Sequence, residues 1–275
     1  MPRDAARAIE LATAVGENAL VAFGAALLVL LLIVGAGWFL VHRHYIRRHQ
    51  LPEMADARVL TVTLVFGFAA ILIAALLFAT LPNLIVSDRA VALADRALTE
   101  AIHGSVALPV LQMFAALTML ANTTVLWMLA IFGALVLLWR REYGLACIWA
   151  AAIAGNGILT RTLKAVFARE RPLYEHGLFT VQGWSFPSGH SSGAVVAYGM
   201  LAYVLIRSTP VIWHLPIVLL ATAIAFITGC SRIFLQVHYA SDVLAGFASG
   251  VVWLAVCVIG AEISRRAAFP RRLPS

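Results

Sequence analysis

The 275-residue chain is short of charge: Asp, Glu, Lys and Arg together make up 12% of it, about half the share in a soluble domain. Lysine is almost missing; Lys164 stands alone against nineteen arginines. Cysteine is scarce, and Cys147, Cys230 and Cys257 fall inside apolar stretches without a CxxC or any metal-ligand spacing. That speaks against a thiolate metal site and reads as three small buried hydrophobes. There is no internal repeat, low-complexity tract or linker. The net charge of +7 is not gathered on a soluble face, so it does not point to nucleic acid. What fills the chain is apolar: 62% of residues, with a mean hydropathy of +0.92. The expected fold class is therefore all-α, a polytopic helical membrane protein.

Seven stretches are long enough to cross about 30 Å of hydrocarbon as helices: 19–41, 59–81, 111–139, 143–161, 190–206, 211–230 and 243–261. The first is too long for the apolar core of a cleaved signal and reads as a retained anchor. The third is long enough to tilt, or to begin as an interfacial segment after Pro109. Eleven arginines, Arg140, Arg141 and Arg207 among them, follow the odd-numbered spans, against nine basic residues on the other side. The arginine-rich side is assigned to the cytoplasm, which puts the N-terminus outside. Residues 83–108 are amphipathic, with Asp88, Asp95, Arg96, Glu100 and His103 among Leu84, Val91, Leu98 and Ile102. They predict a helix in the outer interface, or a solvent-exposed loop helix. The glycine pairs 189/193 and 246/250 suit close helix packing.

Three polar blocks stand at the ends of apolar spans: Lys164-x6-Arg171-Pro172, Pro187-Ser188-Gly189-His190 and Ser231-Arg232-x5-His238-x3-Asp242. Ionisable residues at membrane depth are costly and point to function. All three blocks fall on the outward side, in two separate loops. Their chemistry fits a phosphoryl group, whose spread negative charge needs fixed cations and N–H donors. Lys164, Arg171 and Arg232 supply the cations. Ser188 and Gly189 open an apolar helix, where unpaired N–H groups and the helix dipole favour an anion. Ser188 can cap that helix and also donate its hydroxyl. His238 and Asp242, four apart, share one face of a helical turn. The carboxylate can fix one ring nitrogen as N–H and free the other to attack phosphorus. His190 is left to protonate the leaving oxygen, and the product of attack is a phosphohistidine.

Taken singly, each block also has an ordinary reading. Lys164 and Arg171 could be interfacial anchors, Pro187-Ser188-Gly189 a turn and cap, and His238 with Asp242 a structural pair. Arg161 and Arg169 suit either headgroup attraction or plain surface charge, and Glu175 and His176 lie where they could touch a substrate. Together, on one side and with complementary chemistry, the blocks favour a site. Their pattern resembles that of the type 2 phosphatidic acid phosphatase (PAP2) family of integral-membrane lipid phosphatases, with every motif position filled. The resemblance covers about 59–261. It implies a six-span helical core, no metal or other cofactor, and a lipid phosphate or diphosphate substrate. By motif, it makes His238 the nucleophile, Asp242 its partner and His190 the acid, with Lys164, Arg171, Ser188, Gly189 and Arg232 binding phosphate.

The expected layout is an N-terminal segment 1–58 with one span and a basic loop, a phosphatase core 59–261, and a basic tail 262–275 near anionic lipid. Arginine-heavy usage suggests a bacterial inner-membrane enzyme with a periplasmic site. The favoured substrate is undecaprenyl diphosphate; phosphatidic acid, phosphatidylglycerol phosphate and lipid A 1-phosphate stand beside it. A lipid phosphotransferase is the second class, and a non-catalytic lipid-binding protein the third. Oligomeric state is not legible.

Overall fold

The computed structural model describes residues 3–46, 76, 80, 89–172 and 181–268. They form α1 (Arg3–Glu17), α2 (Ala19–Ile46), α3 (Arg89–Ser105), α4 (Leu108–Leu117), α5 (Thr123–Trp139), α6 (Tyr143–Phe167), α7 (Gly189–Ile206), α8 (His214–Phe234) and α9 (Ala240–Ala268). Short 3-10 turns lie at Thr118–Ala121 and Val211–Trp213, and the described residues contain no strand. Among the described residues, six segments are long and apolar enough to cross a membrane: Ala19–Leu40, Leu108–Trp139, Tyr143–Phe167, Gly189–Ile206, Val211–Phe234 and Ala240–Arg265. The chain is an all-helical integral membrane protein. The expected span 59–81 lies outside the described residues.

Two spans differ from their expected form. The third is not one helix but α4 and α5 joined by the 3-10 turn. Its polar run Thr118, Asn122, Thr123, Thr124 offers the backbone local partners. Asn122 caps α5 by accepting from the Thr124 N–H at 3.0 Å, and the Tyr198 hydroxyl donates to the Leu120 carbonyl at 2.7 Å. Irregular backbone is tolerated at membrane depth where protein covers it. The fourth span runs on past residue 161 to Phe167, which puts Lys164 on the last turn of α6.

The core is held by tryptophans that bridge helices. Trp149 of α6 is 1% exposed and donates its indole N–H to the Ala130 carbonyl of α5 at 2.8 Å. Trp253 of α9 does the same to Ala152 of α6 at 2.8 Å. Helices α7 and α9 meet at their N-terminal ends through missing side chains. A methyl group at Gly246 would stand 2.5 Å from the Ser188 carbonyl oxygen, so only glycine lets the starts of these two helices touch. Helix α2 runs antiparallel along α8. Phe23 packs against Phe226 and Phe234, with ring centroids 5.7 Å away in each case, and Trp38 packs against His214 at the other end. The amphipathic α1 and α3 pack together: Gly16 lies against Ala101, and the Ser105 hydroxyl donates to the Gly16 carbonyl at 2.9 Å.

Candidate active site

Lys164 ends α6, Gly189 begins α7, Arg232 ends α8 and Asp242 begins α9. The up-and-down order of these helices brings all four to the same end of the bundle. The described parts of the two loops between them interlock. The Arg171 guanidinium donates to the Val237 carbonyl at 2.6 Å, and the Ser188 N–H donates to the Asp242 carbonyl at 2.9 Å. Glu175 and His176 lie outside the described residues.

Asp242 is fully buried and saturated with donors. Arg169 Nη1 reaches Oδ1 at 2.6 Å. The Tyr239 N–H reaches Oδ2 at 2.9 Å, and the Ser185 hydroxyl donates to the same oxygen. His238 Nδ1 lies 3.5 Å from Oδ2, the contact expected of the four-residue spacing. On the far side of the ring, His238 Nε2 faces Arg171 Nη1 at 3.1 Å. A guanidinium can only donate, so Nε2 carries the lone pair and the proton sits on Nδ1 toward Asp242. Burial, helped by Arg171 and Lys164, pushes the His238 pKa down to about 4 against the pull of Asp242. The ring is thus neutral at neutral pH, with its free nitrogen turned away from the carboxylate.

A cavity of about 310 Å³ opens at this end, and Lys164, Arg171, Gly189, His190, Arg232 and His238 all line it. With Arg161, four cations and two histidines therefore share one space, and among the described residues the lining holds no carboxylate. Lys164 Nζ donates to the carbonyl of Trp184 and, at 3.5 Å, to that of Ser185. Arg232 is 2% exposed. Its Nη1 donates to Thr118 Oγ1 at 3.1 Å, while Nε has no partner among the described residues. A buried N–H of this kind calls for an acceptor, and a phosphate oxygen in the cavity would be one. Deeper in, the cavity passes Thr160 and Asn156 of α6 and reaches apolar walls at Leu126, Ile153 and Val196.

Ser188 takes a different place from the other block residues. Its side chain is buried at the start of α7, where it accepts from the Ser191 hydroxyl at 2.9 Å and the Ser191 N–H at 3.4 Å. It acts as the helix cap, and the cavity is lined by Gly189 instead.

Three supporting residues were not picked out from the sequence: Ser185, Asp95 and Thr118. A fourth, Arg169, was weighed as surface charge, yet it bridges Asp242 and Asp95. Burial works against the Arg169 charge, but the two carboxylates outweigh it and raise its pKa. Asp95 had a legible signal. It falls four residues after Val91 and three before Leu98, on the apolar stripe of its helix, where a solvated carboxylate has no place.

Residues 145–265 match the model of the PAP2 superfamily. Over 134 residues the chain is 32% identical to phosphatidylglycerophosphatase B of Bacillus subtilis (strain 168). That match takes in 48% of this chain and 65% of the relative, so it spans less than two thirds of the relative's length. The crystal structure of a transmembrane PAP2-type phosphatidylglycerolphosphate phosphatase from Bacillus subtilis resembles this one with a TM-score of 0.64 at 26% identity, over 74% of this chain and 98% of that one. For the crystal structure of Aquifex aeolicus LpxE the TM-score is 0.45 at 26% identity, over 59% and 93%. Three intact motifs at one end of a helical membrane bundle, a family-model match over residues 145–265 and a shared fold point the same way: this stretch is similar to the PAP2 superfamily, and the fold is similar to that of an integral-membrane PAP2-type phosphatase.

Proposed function

We propose that the chain is a membrane lipid phosphatase that works through a phosphohistidine and without a metal. The observation that carries this is the two-sided setting of His238. One nitrogen is turned onto a buried carboxylate, and the other side of the ring lines a cavity whose cations have, among the described residues, no carboxylate in the lining beside them. In the mechanism, the terminal phosphoryl group enters that cavity and draws the Arg171 donor from His238 Nε2 onto its own oxygens. Lys164, Arg232 and the N–H groups at the start of α7 take up the remaining charge. Nε2 attacks phosphorus and the bond to the lipid oxygen breaks. Protonated His190 gives its proton to that oxygen. Water then attacks the phosphohistidine, His190 recovers a proton from it, and inorganic phosphate leaves with His238 neutral again.

Phosphatidylglycerol phosphate is the substrate put first, since a relative similar in sequence and a solved structure similar in fold bear that activity in their names. Undecaprenyl diphosphate, favoured by the sequence reading, is the competing candidate. A periplasmic site on a bacterial inner membrane is supported by the arginines Arg140, Arg141 and Arg207 gathered at the end of the bundle away from the cavity.

The test is release of inorganic phosphate by the purified protein in detergent, from both lipids together with phosphatidic acid and lipid A 1-phosphate, in the presence of EDTA. Turnover of at least one lipid is expected, with an acid-labile phosphoenzyme trapped on quenching. No release from any lipid, or EDTA inhibition reversed by added metal, would overturn the proposal. Assay with and without an acceptor lipid separates hydrolysis from phosphoryl transfer.

A further inference from the structure

We infer that Asp95 and Arg169 are positioning residues of the site, and that α3 serves as a brace for the carboxylate that orients His238. This rests on the reading of His238 as nucleophile. The geometry is specific. Arg169 uses both arms of its fork: Nη1 on Asp242 Oδ1 at 2.6 Å and on Ser241 Oγ at 2.7 Å, Nη2 on Asp95 Oδ2 at 2.9 Å. Its guanidinium carbon lies 4.4 Å from the centre of the Tyr239 ring, which fixes the plane of the fork. Its own carbonyl accepts the Ser185 N–H at 2.7 Å, and Ser185 in turn donates its hydroxyl to Asp242.

Asp95 acts on the helix as well as on the arginine. It accepts the Ser241 N–H at 3.2 Å and the Ser241 hydroxyl. Ser241 lies in the first turn of α9, where backbone donors have no partner within the helix. A carboxylate on α3 therefore caps, from across the interface, the helix that carries Asp242. The same helix reaches the His238 loop a second time, where the Gln236 side chain donates to the Thr99 carbonyl at 3.1 Å. None of these α3 residues falls in the stretch 145–265 matched by the family model. Orientation matters here because a displacement of ~1 Å at a reacting group can lower the rate ~100-fold.

The brace also has an electrical consequence. Arg169 brings a positive charge next to Asp242, and Asp95 offsets it. Among the described residues, the other charged or titratable groups around His238 are Asp242 of α9, Lys164 of α6, Arg171 of the following loop, His190 of α7 and Arg232 of α8. None of them changes in the variants below. Removing Arg169 leaves the imidazolium better tolerated; removing Asp95 leaves it less so. The two substitutions must therefore move the His238 titration in opposite directions.

The experiment is steady-state kinetics across pH for Asp95→Asn, Arg169→Gln, the double variant, and the conservative Asp95→Glu and Arg169→Lys. Each neutralising change is expected to lower kcat by about tenfold to a hundredfold with KM nearly unchanged. The acid limb of kcat/KM moves to higher pH in Arg169→Gln, to lower pH in Asp95→Asn, and back toward the wild type in the double variant. Should Arg169→Gln fail to fold, Arg169→Lys keeps the charge without the fork and is expected to lose kcat while its acid limb stays in place. An unchanged kcat, a loss confined to KM, or limbs that move together would overturn the brace. The His238 imidazole can also be titrated by NMR in histidine-labelled protein, assigned by its loss in His238→Asn. If the wild type released no phosphate, the phosphatase reading would fail, while opposed NMR shifts would still uphold the brace and absent ones would sink it.

Discussion

The two faces of His238 are built on opposite plans. Behind the ring, Asp242, Asp95 and Arg169 stand among serine hydroxyls, with each charge opposite its complement. In front, Lys164, Arg171 and Arg232 share a cavity with no carboxylate in its lining among the described residues. Two guanidiniums make the contrast plain. Arg169, partly buried, has two carboxylate partners, whereas the buried Arg232 has, among the described residues, one threonine hydroxyl and an Nε without a partner. A buried charge matched within the protein fixes geometry; one left unmatched holds the fold back until a ligand supplies the counter-charge. In the proposed mechanism the first face orients the reacting group, and the second recognises what it reacts with.

The largest test of this division is removal of the ring between the faces. His238→Ala is expected to lower kcat by about 10⁴-fold or more, with no phosphoenzyme on quenching; full turnover by the purified variant would sink the mechanism. Next comes the front face. Arg232→Gln should cut kcat/KM by about 10²–10³-fold, while thermal unfolding in detergent shows stability kept or raised, because an unmatched buried charge is gone. The rear face should answer in reverse. Arg169→Met takes the shared guanidinium from Asp95 and Asp242 and leaves them their serine and backbone donors; breaking a largely buried pair in this way costs up to about 3–5 kcal/mol, seen as a clear drop in melting temperature. If Arg169→Met and Arg232→Gln shifted melting alike, the two-face division would be wrong. Orthovanadate, a five-coordinate mimic of the transferring phosphoryl group, should raise the melting temperature of the wild type and raise that of Arg232→Gln much less. The smallest effect is on pH. The folded protein holds His238 at about 4 against an ordinary 6.5. Between those values the unfolded chain takes up a proton that the folded one refuses. Stability is therefore full above pH 6.5 and declines as pH falls toward 4, and His238→Asn should flatten that decline.

Much of this was legible in the sequence because the blocks are local. Four-residue spacing was enough to bring His238 to Asp242, and the hydropathy pattern placed Lys164, Gly189, Arg232 and Asp242 at helix ends. What could not be read was partnership across the fold. Arg169 looks like one more surface arginine until Asp95 arrives from a helix more than seventy residues earlier. The break at Thr118–Ala121 lies inside a long, mostly apolar span where Thr118 and Asn122–Thr124 are a weak local signal, since only the tertiary contacts of Leu120 and Thr118 make a turn there tolerable. Ser188 was read correctly as a cap, but its neighbour Gly189 faces the cavity in its place. The signal most worth using was Asp95 itself, a carboxylate on the apolar stripe of an amphipathic helix.

The cavity has one more implication, through the company it keeps. Trp127, 48% exposed on the outer surface of α5, lines it together with Arg161 and the cationic groups. The chamber that holds the reacting group thus shares a wall with the surface that faces the acyl chains. A lipid can present its headgroup sideways while its tails stay dissolved in the bilayer. On the lipid phosphatase activity proposed above, the concentration this protein responds to is the mole fraction of substrate in the leaflet, and diluting a fixed amount of substrate with inert lipid or detergent should slow it even when the bulk amount is unchanged.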